Sequence, residues 1–390
     1  MPNDTALSLT RETQSASSRT LSRAFGSPAP SITNNLPVEC PGMICRILRH
    51  SSPDARMNEA IEEAILLARH EGQPLDTVHI WQNGKAVILA NNADARTSVD
   101  EDACKSNEVA IVRRAASGRT TYQDERTLNL TYVIDQKRFF PGTESLTEAF
   151  RRLWKPVVEV ISGLGPAVEV PEYAAGLEVE GRKIADAWIR FYYNLMFLQL
   201  SINVQTDLNA VGRALKQGAR FTTLSREVNR IVEIEDVQSA LIQSIAKLFG
   251  VTFQEETPSP LEKKLAERIH DIKYSRHAWN FEGKAPLSLK DVLIEVYVAY
   301  PPTRSCRQII ENVRSATRDL EDRVEIRIWM RGKGLDGHGL PPDVPMSIAL
   351  IEAAKKAIVP LVIVNGQLAF IRDVPSAEDV ERNILQALER

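Results

Sequence analysis

Apolar residues return at helical spacing between Arg56 and His70, where Met57, Ile61, Ala64, Ile65 and Ala68 fall along one side of a helix. Ser52-Pro53-Asp54 ahead of them and Gly72 behind are start and stop signals, so the stretch predicts an amphipathic helix. Extended-chain patterning follows at Thr77 to Trp81, Ala86 to Ala90, Ala110 to Arg113 and Leu128 to Ile134, punctuated by Asn-Gly and Ser-Gly. These segments predict a mixed sheet packed with helices. Leu208 to Lys216, Glu235 to Phe249 and Leu261 to Ile272 read as further helices; in the second, Val237, Ala240, Leu241, Ile245 and Leu248 form a core face. From Val292 to Leu388 the order is strand, helix, strand, helix, strand, strand, helix, with Gly332 to Pro345 as a long surface loop. This last stretch reads as a separate compact unit.

Ahead of the first helix the pattern is absent. From Met1 to about Asn35 the chain is rich in Ser, Thr, Asn and Pro without an apolar face, which predicts a disordered tail. Arg11, Arg19 and Arg23 among serines, with only Asp4 and Glu12 as acids, also permit an organelle transit peptide, ranked second to a simple tail. A chain of 390 residues, 43% hydrophobic and 25% charged, buries more than one core. The expected division is a tail at 1–38, an α/β domain at 39–225, a small accessory domain at 226–288 and a final domain at 289–390.

Charge and cysteine content narrow the partners. A formal net charge of -3 and a pI near 6.2 supply no global basic field, so nucleic acid is not an expected partner and any anion site is local. No apolar run has the length of a membrane helix, and the most apolar window, Ile358 to Val364, suits a buried strand. Cys40, Cys45, Cys104 and Cys306 are too few and scattered to staple this chain or complete a zinc pattern. A reducing compartment is expected: the cytoplasm, or an organelle matrix if the tail is a transit peptide.

The segment Val112-Arg113-Arg114-Ala115-Ala116-Ser117-Gly118-Arg119-Thr120-Thr121-Tyr122-Gln123-Asp124 carries the most chemistry. A strand end enters a small-residue turn whose backbone N–H groups can approach an anion, with arginines placed to pair a carboxylate or phosphate in bidentate fashion. Taken alone, a surface hairpin with solvated arginines explains it better. The segment resembles, however, the signature of the lipoate-protein ligase and octanoyltransferase superfamily, with Arg113, Arg114, Gly118, Asp124, Leu128 and Asn129 in register. Met57-Asn58-Glu59-Ala60-Ile61 is similar to that family's first helix and Val78 to Trp81 to its first strand. Glu180-Gly181-Arg182-Lys183-Ile184 matches its lysine turn, and Ile272 to Asn280 resembles the end of the accessory domain in its longer ligases.

The resemblance implies a mixed-sheet, lipoate/biotin ligase-like fold over about Pro41 to Pro286. It implies Lys183 as the catalytic residue, holding the acyl carboxylate and the nucleotide α-phosphate, and Arg113, Arg114, Ser117, Gly118, Arg119, Tyr122, Asp124 and Asn129 as substrate and nucleotide contacts. ATP, Mg²⁺, lipoate or a related acyl acid and a lipoyl-acceptor domain are the implied cofactors and partners, without a dedicated protein metal site. The chain departs from the pattern in places: Gln123 stands for the family's histidine, Ala175-Gly176 for an Asn-Asp pair, Asp186-Ala187-Trp188-Ile189 for Gly-Ser-Ala-Gln, and Leu198-Gln199-Leu200 for His-His-Gly. Trp188, Leu198 and Leu200 are expected to narrow or dry the pocket. The alternative is therefore a catalytically eroded lipoyl-binding or assembly protein.

A cysteine nucleophile is not expected, because no cysteine lies between Lys105 and Ser305 and Cys104 reads as a small buried thiol. The stretch from Leu293 resembles small thioredoxin-like proteins: Pro301-Pro302-Thr303-Arg304-Ser305-Cys306 at a helix start, and Val359-Pro360 entering a strand and hairpin. Thr303 takes the first position of a Cys-x-x-Cys pattern, which excludes two-cysteine disulfide cycling. Cys306 and Pro360 remain a possible thiol site; docking or substrate presentation is the expected role, and engagement of a thiol or sulfur carrier belongs to the alternative.

Overall fold

A computed structural model of the chain describes residues 42–140, 142, 146–169, 176–216, 220–337 and 344–389. The tail expected at 1–38, Cys40, Ala175 and part of the loop expected at 332–345 lie outside these residues. The chain divides into two compact units, one reaching to His270 and including Asn280–Gly283, the other comprising Asp271–Trp279 and Lys284 onward. Among the described residues no helix is long and apolar enough to cross a membrane.

In the first unit, seven strands form one sheet: β1 (Met43–Arg49), β2 (Thr77–Trp81), β6 (Thr127–Asp135), β7 (Gly176–Val179), β8 (Arg182–Tyr192), β9 (Leu195–Asn203) and β10 (Val251–Glu256). Their spatial order is β10-β1-β2-β6-β9-β8-β7, parallel from β10 to β2 and antiparallel beyond. A smaller sheet has the order β4-β3-β5, from β3 (Ala86–Leu89), β4 (Ala110–Arg113) and β5 (Thr121–Gln123).

The two faces of the large sheet differ in kind. Alternation along the strands sends Val78, Ile80, Leu128, Leu130, Tyr132, Leu198, Leu200 and Ile202 to one face. There they form the main core with helices α2 (Leu146–Gly163) and α4 (Ile234–Phe249). The opposite parity carries polar groups in two aligned rows. Trp81, Asn129, Ser201 and Asp186 stand opposite one another across β2, β6, β9 and β8, and His79, Thr131, Gln199 and Trp188 form the next row. All eight side chains are buried. Leu198 and Leu200 thus do not narrow the candidate pocket as expected; they point into the apolar core, and Gln199 between them faces the other way.

Helix α1 (Ala55–His70) begins at the Asp54 N-cap, whose side chain accepts from the Arg56 N–H, and places Glu59, Glu62 and Glu63 in the interior. It contacts β6 and β9 and also packs along helix α5 (Pro260–Ile269), which buries it on more than one side. The segment expected as an accessory domain at 226–288 is laid out differently. Its strand β10 extends the large sheet in register from Met43 opposite Val251 to Leu48 opposite Glu256, and α4 covers the main core. Glu262 of α5 completes a capping box with Ser259 and ion-pairs with the buried Arg46 guanidinium of β1, whose Nη1 donates to Glu262 Oε2 at 3.0 Å.

The second unit follows the expected order: β11 (Val292–Val298), α6 (Arg304–Ala316), β12 (Val324–Met330), α7 (Ile348–Lys355), β14 (Leu361–Val364), β15 (Gln367–Ile371) and α8 (Ala377–Leu388). A two-residue strand, β13 (Gly334–Leu335), adds to β12 within the stretch read as loop. The sheet order is β13-β12-β11-β14-β15, with β11 parallel to β12 and antiparallel to β14. Val292, Ile294, Val296 and Val298 face α6 and α8, while Tyr297 joins Trp329, Leu361 and α7 on the other side. Lys273 Nζ lies 4.2 Å from the centre of the Trp279 ring, with Tyr274 beside it.

Removing the Arg46 partner should be costly, because a buried guanidinium would be left without its closest counter-charge. Glu262→Ala is expected to lower folding stability by about 3–5 kcal/mol in chemical denaturation. Arg46→Met with Glu262→Leu should recover most of the loss. A cost under about 1 kcal/mol for Glu262→Ala would show that Arg46 is compensated elsewhere.

Candidate functional site

Arg113 and Arg114 are adjacent, so extended geometry sends their side chains to opposite sides, and they do different things. The Arg113 Nη1 donates to the carbonyls of Ala90, Asn91 and Ala93 at 2.9, 2.8 and 2.7 Å, and Nη2 reaches the Phe281 carbonyl at 3.4 Å. Burial holds its pKa below the ordinary value. Arg113 thus ties the loop after β3 and Phe281 together instead of presenting its Nη1 to a ligand. Arg114 turns toward the polar face of the large sheet. Its guanidinium carbon lies 3.6 Å from the centre of the Trp188 ring, its Nη1 donates to Gln199 Oε1 at 3.5 Å, and its Nη2 is 3.9 Å from Glu59 Oε1.

The small-residue turn closes over the same indole. Ser117 bridges to Ile189 of β8, and Trp188 Nε1 donates to the Arg119 carbonyl at 2.6 Å. A Cβ at Gly118 would stand 2.1 Å from Trp188 Cδ1, so only glycine permits this approach while the ring keeps its place. Gly118 and the Arg119 residue are exposed at the surface.

Lys183 reaches this face through a β-bulge. Leu177 pairs with Ala185 and Glu178 with Lys183, leaving Ile184 as an extra residue; Ile184 and Ala185 both enter the apolar core. The shift in parity lets the buried Lys183 Nζ donate to Asp186 Oδ1 at 2.7 Å, two residues along β8 from Trp188. Gly176 makes room on the neighbouring strand: a Cβ there would stand 2.6 Å from the Ala185 carbonyl and 3.3 Å from Asp186 Oδ1.

Other expected site residues are engaged in folding contacts. Tyr122, of opposite parity to Gln123 on β5, enters the core of the small sheet with Val87 and Leu89, and burial raises its pKa. Asp124 accepts from the Arg126 and Thr127 region through Oδ1 and from the Asp207 N–H through Oδ2, at the start of α3 (Leu208–Ala214). Asn129 Nδ2 donates to Gln123 Oε1 at 3.2 Å. Gln123 in turn donates to Ser201 and accepts from Asn83, so the residue at the family's histidine position couples the two sheets. Cys104 is buried, and burial with Asp100 and Glu101 nearby pushes its thiol up to about 11, as expected for a packing residue. Cys306 sits in the first turn of α6, its N–H donating to Thr303 Oγ1 and its side chain in the core; Val359-Pro360 is cis.

Glu59 and Glu62 were not singled out as site residues. Glu62 accepts from Thr131, faces His79 Nδ1 at 2.5 Å and accepts from Gln199 Nε2 at 3.2 Å. Glu59 is held up to about 7 chiefly by burial, opposed by Arg114 and Gln199 and reinforced by Glu62 and Glu63. Their signal was present as acids at positions 59, 62 and 63, the spacing of one helix face. This face therefore carries two buried cations, Lys183 and Arg114, each next to a carboxylate, Asp186 and Glu59 respectively.

The large sheet thus has one apolar face and one polar face, the latter carrying Lys183 with Asp186 and Arg114 with Trp188, Gln199 and Glu59. Residues 54–246 match the lipoyl protein ligase A/B catalytic domain, and through this region the chain belongs to that family. It is similar to a lipoate-protein ligase A subunit 1 of Thermoplasma acidophilum, 26% identical over 259 residues that cover 60% of this chain and 95% of the relative. A lipoate protein ligase from T. acidophilum solved with bound lipoic acid superposes with a TM-score of 0.56 at 25% identity, over 61% of this chain and all of that one. A lipoate-protein ligase A solved with ATP gives the same TM-score and identity over 62% of this chain.

The position of Glu59 gives a pH signature. Its folded value of about 7 lies above the ordinary 4.5, so between these limits the folded state keeps a proton that the unfolded state has lost. Stability therefore declines as pH rises through this window, by up to about 3 kcal/mol from this group. Glu59→Gln should flatten the decline in denaturation measured at pH 4.5 and pH 7.5. An unchanged slope in the variant would remove Glu59 as its source.

Proposed function

We propose that this protein is an ATP-dependent ligase that activates lipoate or a related acyl acid as an acyl-adenylate and transfers it to a lysine of an acceptor domain. The observation carrying this reading is that buried Lys183, bonded to Asp186, and buried Arg114, stacked on Trp188, lie on one sheet face inside the region that matches the family. The acid's carboxylate oxygen attacks the α-phosphorus of ATP and pyrophosphate leaves. The acceptor amine then attacks the acyl carbon, AMP leaves, and the amine loses a proton. Lys183 is placed to offset the negative charge gathered between carboxylate and α-phosphate, and Arg114 to hold an anionic group nearby. The turn from Ser117 to Arg119 offers backbone N–H groups to a phosphate.

Among the described residues no group of three or more His, Cys, Asp or Glu side chains gathers to hold a metal, so Mg²⁺ would enter with the nucleotide phosphates. The solved relatives with lipoic acid and with ATP support these two ligands for this chain as well. For the second unit we infer a thioredoxin-like docking module: its strand order, the Thr303-capped helix and the cis Val359-Pro360 entry to β14 support that reading. The packing of Cys306 into the core favours docking over thiol chemistry.

Acid-dependent exchange of pyrophosphate into ATP, tried with lipoate, octanoate and biotin, tests the ligase. Wild type should exchange with lipoate or octanoate, and Lys183→Ala should lose about 10² to 10³ in rate, or about 3–4 kcal/mol, while keeping its fold. Arg114→Ala should raise KM more than it lowers kcat. Acyl transfer from a carrier-bound donor without ATP would replace the ligase with a transferase, and equal exchange by Lys183→Ala would displace that lysine from its role.

A further inference from the structure

We propose that Trp188 is the gate of the acyl site: its indole takes, in the free protein, the place that the acyl acid takes in the complex, and its bulk selects which acids enter. This rests on the ligase reading above and adds a specificity-determining residue to it.

The two rows of the polar face give the argument its contrast. Gln123, Asn129 and Ser201 are joined by hydrogen bonds, and His79, Thr131, Gln199 and Glu62 form a second buried network. Trp81 donates to Thr131 and is part of that network. Trp188 belongs to the same face but makes its hydrogen bond elsewhere. Its Nε1 donates to the carbonyl of Arg119, a residue of the exposed turn. Releasing the indole therefore breaks one hydrogen bond to a surface turn and its stacking on Arg114, but no hydrogen bond of either buried network.

What the indole covers is the second half of the argument. The Arg114 guanidinium carbon sits 3.6 Å over its ring centre, so the indole covers one side of the buried arginine, while Gln199 and Glu59 lie within reach of the arginine's Nη1 and Nη2. The indole's other neighbour is the Gly118 backbone. An acyl acid offers both things the indole supplies: an apolar body for this volume, and a carboxylate that pairs with a guanidinium more strongly than a ring face does. Exchange of one for the other keeps the site dry and the arginine partnered. Adenine is the competing occupant, but it carries no charge to replace the ring's hold on Arg114.

The test compares wild type, Trp188→Phe and Trp188→Ala in pyrophosphate exchange over a series of acids from hexanoate to hexadecanoate with lipoate, measuring KM for each acid and for ATP. Trp188→Ala should lower KM for lipoate by about tenfold and shift the preferred acid to a longer chain, with KM for ATP changed less than about twofold. Trp188→Phe should keep the wild-type ranking. Gly118→Ala, whose methyl collides with the seated indole, should reproduce the Trp188→Ala ranking and supplies the test if that variant does not fold. An unchanged acid ranking in folded variants overturns the gate alone. A changed KM for ATP with the acid ranking intact overturns it in favour of adenine. Absence of exchange with any acid in wild type and all variants overturns the ligase reading and the gate together.

Discussion

The constraint on which this structure turns is that one face of its main sheet buries charge. A sheet covered on both sides ordinarily carries apolar residues on both, and here only the face toward α2 and α4 does so. The other must satisfy Glu59, Glu62, His79, Arg114, Lys183 and Asp186 in a region with little water, where an unpaired group costs several kcal/mol. The chain meets this by bringing opposite charges from different elements. Glu59 and Glu62 come from α1, Arg114 from the end of the small sheet, and Lys183 and Asp186 from the large one. Each element is fixed in part by the charge it delivers to the others.

The same constraint explains why the site is both ready and closed. Cations held in a dry interior act strongly on a substrate anion. In the absence of substrate they need partners, and the chain supplies them as Asp186 for Lys183 and as Glu59, Gln199 and the Trp188 ring for Arg114. In the proposed ligase, substrate binding is then an exchange of partners. The raised pKa of Glu59 fits this picture, since a carboxyl poised near neutrality is readily neutralised when another anion takes its place beside Arg114.

How much of this was legible in the sequence follows from period and parity. Helix α1 was legible because Asp54, the apolar spacing and Gly72 all agree. The order of elements in the second unit was legible for the same reason. The family was legible from landmarks in order, two of which, around Gly118 and Gly181, lie at turns whose residue types are constrained. Parity caused the losses. Leu198 and Leu200 were assigned to the pocket because they stand at the family's His-His-Gly position, whereas alternation gives that face to Gln199. Arg113 and Arg114 were read as a pair, although neighbours on a strand point apart. Strand β10, with the sequence Val-Thr-Phe-Gln-Glu-Glu, has too little apolar alternation to announce that it edges the large sheet. The bulge that carries Lys183 to its face has no signature beyond the Gly181 turn.

The account stands on the polar face of the large sheet being the place where acyl acid and nucleotide meet. Hydrogen–deuterium exchange of the full chain, with and without a non-hydrolysable octanoyl-adenylate analogue, addresses that directly. Amides from Arg114 to Gln123 and from Lys183 to Ile189 should gain protection on addition of the analogue, with the strongest change at the turn around Gly118. Protection confined to residues 292–389, or binding that leaves both of these segments unchanged, would contradict it.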